Sequence, residues 1–510
     1  MASSYLSPGI YMEEVSSGSR PIEAAGTAVA AFVGFAEKGP LNQPTLVTNW
    51  TQFSQHFGGF IAGSYLAHSV YGYFANGGGS AYVVRVGAES VAEPPELRGE
   101  LPAVEDGRTA FAVRALPAGA GGPGPLSVEV VGGADPTDET FTLLVKRGGV
   151  VVEAMEGLTV RRGPSNVVTA VRQQSKLIEV EETRGARVAT MPRQGVEVAI
   201  QAAANTPAVR VEPNVYVGNS ADRTGFAGLE AIEEVTMLAV PDLMAARDRG
   251  LLDDEGVRAV QDAMITHCEL MRDRIAILDT PPSLSAQAVK GWRAEANYDS
   301  KYAALYWPWI KVMDPLSGKP SFVPPSGHMA GIWARNDSTR GVHKAPANEV
   351  VRGAIELELK LTKGEHDQLN PDGINCIRSF PGQGIRVWGA RTLSSDPEWR
   401  YLNVRRLFNY VEKSILNGTN WVVFEPNDPK LWDSVKRTIT MFLRRVWRDG
   451  ALFGATPAQA FYVKCDAENN PPENRDAGML TVEIGIAPVK PAEFVIFRLS
   501  QFADGAGLEE

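Results

Sequence analysis

Ser326-Gly327-His328 is the stretch of this 510-residue chain that comes nearest to nucleophilic chemistry. A serine hydrolase needs a serine, a histidine that takes its proton and a carboxylate that orients the histidine. Adjacent residues cannot supply that geometry by themselves, and a helix cap after Pro324-Pro325 explains Ser326 more simply. The remaining histidines occur in no recognisable protease motif: His56, His68, His267, His343 and His366. Hydrolysis therefore stays the alternative hypothesis.

Metal and phosphate motifs are incomplete. Glu365-His366-Asp367 has no second histidine at ligand spacing, which favours surface charge. Gly318-Lys319 lacks the glycine that a P-loop places five residues earlier, and Gly382-Gln-Gly384 lacks the third glycine of a dinucleotide turn. The sequence predicts no catalytic residue, no metal site and no cofactor.

Bulk properties exclude some partners. The formal net charge of −10 argues against general affinity for nucleic acid. Three cysteines, Cys268, Cys376 and Cys465, stand far apart without CxxC spacing, which favours a reducing compartment and assembly in the cytoplasm. The longest apolar run, residues 26–36, is too short to span a bilayer, so we expect no direct membrane insertion.

Helices and strands must position any functional side chains. The clearest predicted helices and strands lie in the last third of the chain. One helix is predicted between Asp396-Pro397 and Asn417-Gly418, and a second from Asp428-Pro429 to Gly450. A strand at 479–487 follows, and another at 493–502 after two prolines. That last strand is apolar on both faces, with Phe494 and Ile496 on one and Val495, Phe497 and Leu499 on the other. We expect its own domain or a second copy to cover it.

The amino-terminal 22 residues form a polar arm with one strand-like stretch. That stretch, residues 9–15, includes Gly9, Ile10, Tyr11, Met12 and Val15. It cannot form a core alone, so it is either a frayed terminus or a strand lent to another sheet.

Strand and helix patterns alternate before and after a different central region. Residues 23–89 and 207–370 favour one layered α/β domain, because strand–helix–strand repeats of this length favour a largely parallel sheet. Residues 90–206 are rich in glycine, proline and short alternating runs, which predicts an inserted β-rich module. Residues 371–490 form the predicted α+β domain and 491–510 the carboxy-terminal arm. The fold class is therefore α/β and α+β, in several domains.

A local excess of positive charge marks the two predicted helices. Residues 397–450 carry ten lysines and arginines against six acidic residues, in a chain that is acidic overall. A solvated helix face and a surface that docks on an acidic partner both explain this excess. Nucleic acid is disfavoured, since Trp432, Phe442 and Trp447 fall on the helix stripe rather than on a stacking platform. The candidate docking residues are Lys436, Arg437, Arg444, Arg445 and Arg448.

Several motifs, in order, resemble contractile tail sheath proteins. They include Ser7-Pro-Gly-Ile-Tyr-Met-Glu-Glu-Val, Phe32-Val-Gly-Phe-Ala-Glu-Lys-Gly-Pro, Tyr306-Trp-Pro-Trp, Lys344-Ala-Pro-Ala-Asn and Tyr401-Leu-Asn-Val-Arg-Arg. The resemblance covers nearly all of the chain outside the insertion. Its compact size is most similar to the sheaths of phage-derived injection particles.

The resemblance implies a function. It implies a subunit that stacks in six-membered rings or a six-start helix around an inner tube, with terminal arms adding strands to neighbouring copies. It implies that the basic helix faces the tube, and that baseplate and terminator or cap proteins are further partners in a phage tail or released particle. It also implies that an extended sheath shortens and drives the tube through a target envelope, which requires no catalyst. A middle domain described as subtilisin-like in this family keeps the hydrolase alternative open.

Overall fold

The computed structural model describes residues 21–87, 97–104, 109–116, 125–132, 140–182, 191–202 and 211–497. Its strands are β1 (Val29–Gly34), β2 (Thr45–Val47), β3 (Ser80–Arg85), β4 (Leu97–Pro102), β5 (Thr109–Ala115), β6 (Leu126–Gly132), β7 (Phe141–Arg147), β8 (Val150–Leu158), β9 (Ile178–Glu182), β10 (Glu197–Ala202), β11 (Met237–Ala239), β12 (Ile275–Asp279), β13 (Ala303–Trp307), β14 (Ile310–Met313), β15 (Pro320–Val323), β16 (Ala354–Leu357), β17 (Ile374–Phe380), β18 (Gly384–Val387), β19 (Phe461–Lys464) and β20 (Glu483–Ile486). Its α-helices are α1 (Trp50–Phe57), α2 (Leu66–Ala75), α3 (Val167–Gln174), α4 (Asn214–Val217), α5 (Asp242–Asp248), α6 (Asp254–Met271), α7 (Ala286–Ala296), α8 (Ser326–Arg340), α9 (Lys363–Leu369), α10 (Leu402–Thr419), α11 (Pro429–Arg448), α12 (Pro457–Ala460) and α13 (Pro472–Asp476).

An eight-stranded sheet is the centre of one compact unit, formed by the chain before residue 89 and after residue 210. The strand order is β18-β17-β13-β12-β11-β1-β3-β2. The six inner strands pair in parallel, while β2 and β18 are antiparallel edges. Strands β12 and β13 are buried at every position, as expected when both faces of a parallel sheet are covered. The predicted mixed α/β fold class is confirmed.

A second compact unit spans residues 89–210 and is built on an antiparallel sheet. Its strand order is β8-β7-β6-β10-β4-β5-β9. The hairpin between β7 and β8 turns at Gly148 and Gly149, whose φ angles are 58° and 82°. Two consecutive positive φ angles favour glycine at both positions.

Helices α10 and α11 pack with the β19–β20 hairpin into a separate hydrophobic cluster of the first unit. Helix α11 begins where the sequence predicts, because the Asp428 carboxylate accepts the N–H of Leu431 at 2.9 Å and Pro429 occupies the first turn. Helix α10 begins at Leu402 and not after Asp396, so the predicted start was wrong. Asp396 instead closes a turn with Glu398, and Tyr401 pairs with Arg391 in an antiparallel bridge that holds the chain extended.

The structure differs from two further predictions: the residue pattern favours a single strand at 302–312, and the carboxy-terminal domain was expected to begin at residue 371. The run 302–312 forms β13 and β14, which lie in different sheets. Pro308 stands between them and has no N–H for a ladder. Strands β17 and β18, which the sequence placed in the carboxy-terminal domain, lie in the central sheet because β17 pairs in parallel with β13.

Candidate assembly interface

The amino-terminal end of the described chain is fixed to α10 and α11. Ile22 is only 3% exposed and packs so closely on α10 that a side chain on Gly418 would meet its atoms at 2.6 Å. Arg445 donates to the carbonyl of Ile22 at 3.2 Å, and Ser414 Oγ accepts the N–H of Ala25 at 3.0 Å. The predicted strand of residues 9–15, with Gly9, Ile10, Tyr11, Met12 and Val15, lies outside the described residues. Any pull on that arm would reach the body at Ile22.

A buried ion pair lies beneath the same segment. Arg406 on α10 donates to both carboxylate oxygens of Asp337 on α8, at 2.9 and 2.5 Å, and both side chains are 4% exposed. Arg406 also donates to the carbonyl of Thr27 at 3.1 Å and lies over the ring of Trp333. The pair therefore joins the amino-terminal segment, α8 and α10. The sequence analysis counted Arg405 and Arg406 within the basic excess, but both are buried.

Asp337→Ala is expected to lower the free energy of unfolding by about 3–5 kcal/mol, because it leaves the Arg406 charge buried without its carboxylate. Urea titration of the subunit would measure the loss. Asp337→Ala with Arg406→Met should lose less, since neither charge remains. Glu468→Ala, which breaks the exposed Lys464–Glu468 pair, should change stability by less than about 1 kcal/mol. Equal losses for the buried and exposed pairs would contradict the assignment.

The carboxy-terminal segment has its own anchor at Glu493. Its carboxylate accepts two hydrogen bonds from Arg391, at 2.9 and 2.7 Å, one from Asn370 at 2.8 Å and one from Tyr401 at 3.2 Å. Burial favours the neutral acid, but the hydrogen bonds from Arg391 and Asn370 outweigh it and hold the pKa of Glu493 below its usual range. The anchor is thus ionised at neutral pH, and its stabilising contribution is lost only as the pH falls through that lowered pKa.

The residues just after Glu493 are apolar and exposed. Phe494, Val495, Ile496 and Phe497 are 73%, 67%, 78% and 85% exposed, and this segment pairs with no described strand. Burying one large apolar side chain contributes about 1.5–3 kcal/mol, so together the four represent substantial unrealised stabilisation. Leu499, which the sequence analysis also placed on this strand, lies outside the described residues.

A small sheet of the same unit is also incomplete. Strands β19 and β20 pair with each other and with no third strand among the described residues. A two-stranded sheet leaves one edge of each strand available for pairing. Tyr462 on β19 is 59% exposed, while Val463 and Ile484 are only partly covered by the α10–α11 cluster. Unpaired edges and an exposed apolar segment in one subunit are typical of proteins that exchange strands.

The five candidate docking residues are exposed along α11. Lys436, Arg437, Arg444, Arg445 and Arg448 lie on the side opposite its buried stripe of Leu431, Trp432, Val435, Ile439, Phe442, Leu443 and Val446. Arg445 has a second role, because it holds the Ile22 carbonyl. The structure thus puts these charges on one solvent-facing surface next to the amino-terminal anchor.

The Ser326-Gly327-His328 stretch is part of a helix contact. Gly327 packs so tightly on α2 that an added Cβ would lie 2.4 Å from the Cα of Ser69. The interpretation of Ser326 as a helix cap was wrong, because Ser326 is the first residue of α8. The buried Asp279 carboxylate accepts the N–H of Ser326 at 2.9 Å. Burial lowers the pKa of His328 to about 4, and its Nδ1 has no hydrogen-bond partner among the described residues. Residues two apart on a helix do not face each other, so this trio does not form a proton relay.

The described residues offer neither a metal-binding cluster nor a membrane-spanning helix. No cluster of three or more histidine, cysteine, aspartate or glutamate side chains there could hold a metal ion. No helix there is both long enough and apolar enough to cross a membrane.

Comparison with known proteins identifies the family of this chain. A family model described as the phage tail sheath protein central domain matches residues 226–393, and one for the phage tail sheath C-terminal domain matches 394–502. Together they span more than half of the chain. The chain belongs to the phage tail sheath protein family, which is a family of structural proteins.

Individual relatives cover the chain to different extents. The tail sheath protein of Burkholderia phage BcepMu is 25% identical over 98% of this chain and 97% of its own length. The tail sheath protein of Vibrio phage KVP40 is 27% identical over 44% of this chain, and the match spans only 35% of that protein. A solved sheath complex of an extracellular contractile injection system, PVC, in its contracted state has the same fold, with a TM-score of 0.59, 23% identity and coverage of 98% and 99% of the two chains.

Neither anchor, at Ile22 or at Glu493, was predicted from the sequence. Glu493 and Arg391 are 102 residues apart, and Ala25 and Ser414 are 389 apart. No local pattern connects such pairs. The available signal was a glutamate directly before four apolar residues, 494–497.

Proposed function

We propose that this protein polymerises around an inner tube, in rings or a helix, by lending its terminal strands to neighbouring copies. The observation that carries the proposal is the segment after Glu493, which is fixed at its base by Arg391 and exposes four large apolar side chains beyond it. An anchored strand without a partner gains both ladder hydrogen bonds and apolar burial when it joins another copy. The β19–β20 hairpin offers unpaired edges for such a strand.

The work of this polymer comes from a change in packing. An extended lattice that rearranges to a shorter, wider one releases the free-energy difference between two arrangements of the same subunits. A difference of about 1–3 kcal/mol per subunit, summed over hundreds of copies, would move a tube through an envelope without any catalyst. The solved PVC sheath complex, described as contracted, supports a contracting role for this fold. A baseplate and a terminator or cap would close the two ends of the particle, which assembles in the cytoplasm.

Electron microscopy of the purified protein tests the proposal. Striated tubes or stacked rings are the expected result, in the presence of the tube protein or alone. A discrete monomer at all concentrations, with turnover on a panel of ester and peptide substrates, would instead favour the hydrolase alternative.

The exposed face of α11 is the surface we assign to tube docking. Replacing Lys436, Arg437 and Arg444 with Glu should weaken co-purification of the tube at least tenfold, and the loss should be greatest at low salt because screening already weakens the parent contact at high salt. Circular dichroism should match that of the parent, since these side chains are exposed. Replacing Arg161, Arg162 and Arg193 of the second unit with Glu is the matched control. Unchanged tube recovery in the α11 variant would contradict the assignment.

A further inference from the structure

A basic groove lies beside the carboxy-terminal anchor. It has a volume of about 1110 Å³ and is bounded by stretches within residues 340–348, 363–371, 378–391 and 489–495. Its walls include Phe380 and Trp388, whose ring centroids are 4.5 Å apart, and the exposed Phe494. The groove therefore offers apolar surface as well as charge.

Cations outnumber carboxylates along this groove. Its charged lining consists of Arg340, Lys344, Lys363, Arg378, Arg391 and Lys490 against Asp367 and Glu493. Arg391 is paired with Glu493, and Lys344 with Glu349. Within the described part of the chain, the other four cations form no ion pair. The groove thus has an excess of positive charge that its own residues do not neutralise.

Two nitrogens in the lining are buried without partners. His366 is 8% exposed, and its Nε2 has no hydrogen-bond partner among the described residues. The same holds for Nε of Arg378, whose guanidinium lies 5.3 Å from the centroid of the Phe380 ring. A buried polar group without a partner costs about 1–3 kcal/mol. A ligand carboxylate in this groove would be attracted by the surrounding cations and would be a suitable acceptor for the Nε–H of Arg378.

We propose that this groove binds the acidic carboxy-terminal segment of a second copy, residues 503–510. That segment, Ala-Asp-Gly-Ala-Gly-Leu-Glu-Glu, has three carboxylate side chains, Asp504, Glu509 and Glu510, and no lysine or arginine. Its Leu508 suits the apolar wall beside Phe380 and Trp388. Carboxylates complement the unpaired cations, and the two glycines allow the backbone to approach the groove closely.

The choice of a second copy rests on the proposed strand exchange. If residues 494–502 extend onto a neighbour, these nine residues carry the chain roughly 30 Å away from its own groove. The eight residues that follow span at most about 29 Å, so only a fully extended segment that reverses direction would come back near the groove it left. The groove of a neighbouring copy is then the one within reach.

A peptide-binding experiment on unassembled subunits tests the groove. The protein is the full chain with Asp504→Asn, Glu509→Gln and Glu510→Gln, whose own segment no longer competes. The probe is a fluorescent peptide of residues 503–510 with both ends blocked, so that only side chains carry charge. We expect saturable binding by anisotropy at low salt, and at least tenfold weaker binding of the peptide that carries the same Asn and Gln replacements.

Groove variants locate the binding. Arg378→Glu and, separately, the exposed Lys363→Glu should each weaken binding at least fivefold, while Arg437→Glu on α11 should leave it unchanged. The Lys363 variant keeps the test valid if Arg378→Glu fails to fold. Equal affinity for the charged and neutral peptides, or binding that neither groove variant weakens, would overturn the proposal.

Cross-linking identifies the copy that supplies the segment. Chains with Lys363→Cys are mixed with chains with Glu510→Cys under assembly conditions and oxidised. A disulfide-linked pair of chains is expected, whereas a link formed only within one doubly substituted chain would overturn the assignment to a second copy. The experiments distinguish failure of the strand-exchange proposal from failure of the groove proposal. If the peptide binds but no sheath forms, strand exchange is contradicted. If normal sheaths form but the peptide does not bind, the groove proposal is contradicted.

Discussion

Chains that end at Lys490 are expected to fold into soluble subunits and to form no ordered extended sheath. The truncation removes the Glu493 anchor and all four exposed apolar residues that follow it. It removes no side chain of the α10–α11 core, so circular dichroism should stay close to that of the parent. The thermal midpoint should fall, because Arg391 loses its carboxylate partner. Negative-stain images would score sheath length and order. Ordered sheath from the truncated chain would show that this strand is not shared.

The Glu493→Gln variant tests the contribution of the anchor while leaving the strand intact. Gln keeps the size of the side chain but cannot form the bidentate ion pair with Arg391. We expect it to fold and to assemble with shorter or less regular sheaths, because the strand stays apolar while its base is loosened. Glu483→Gln, at an exposed position of β20, is a matched substitution that should assemble normally. If both variants assembled as the parent does, the Arg391–Glu493 contact would not position the arm.

Elements with local caps could be predicted from the sequence, whereas those capped by distant residues could not. Helix α11 was predicted because its cap, Asp428, precedes it directly. Helix α8 was misinterpreted at Ser326 because the carboxylate that accepts the N–H of Ser326 belongs to Asp279, 47 residues away in sequence. The start of α10 was misplaced because a bridge between Arg391 and Tyr401 keeps the preceding residues extended. Long-range pairing decided each case, and sequence spacing does not report it.

In the candidate interface too, local features could be predicted from the sequence and long-range contacts could not. An apolar strand after Pro491 was visible in the residue pattern, and so was the basic excess on α11. Arg405 and Arg406 were counted within that excess, since a helix pattern alone does not show that Asp337 and Glu412 supply their carboxylates. Ile22 and Glu493 hold the two ends of the described chain to the body through contacts that only the folded structure brings together.

Lengthening the amino-terminal linker is expected to let the sheath assemble extended and to block its contraction. Three residues inserted between Ser16 and Arg20 add up to roughly 10 Å of reach. Ile22, buried against Gly418, still fixes the end of the linker to the body. If a taut linker converts the movement of one ring into a pull on the next, this slack absorbs the pull before it reaches Ile22.

The measurement is sheath length and diameter before and after a contraction stimulus such as acid or mild denaturant. The control inserts three residues at the Gly148–Gly149 turn between β7 and β8, where the added length lies in a hairpin of the other unit. That control should contract with the parent. A linker variant that shortened and widened with the yield and rate of the parent would show that arm tension does not propagate the change. The contacts that drive contraction would then lie between the folded bodies of the subunits, because those are the remaining connections between rings.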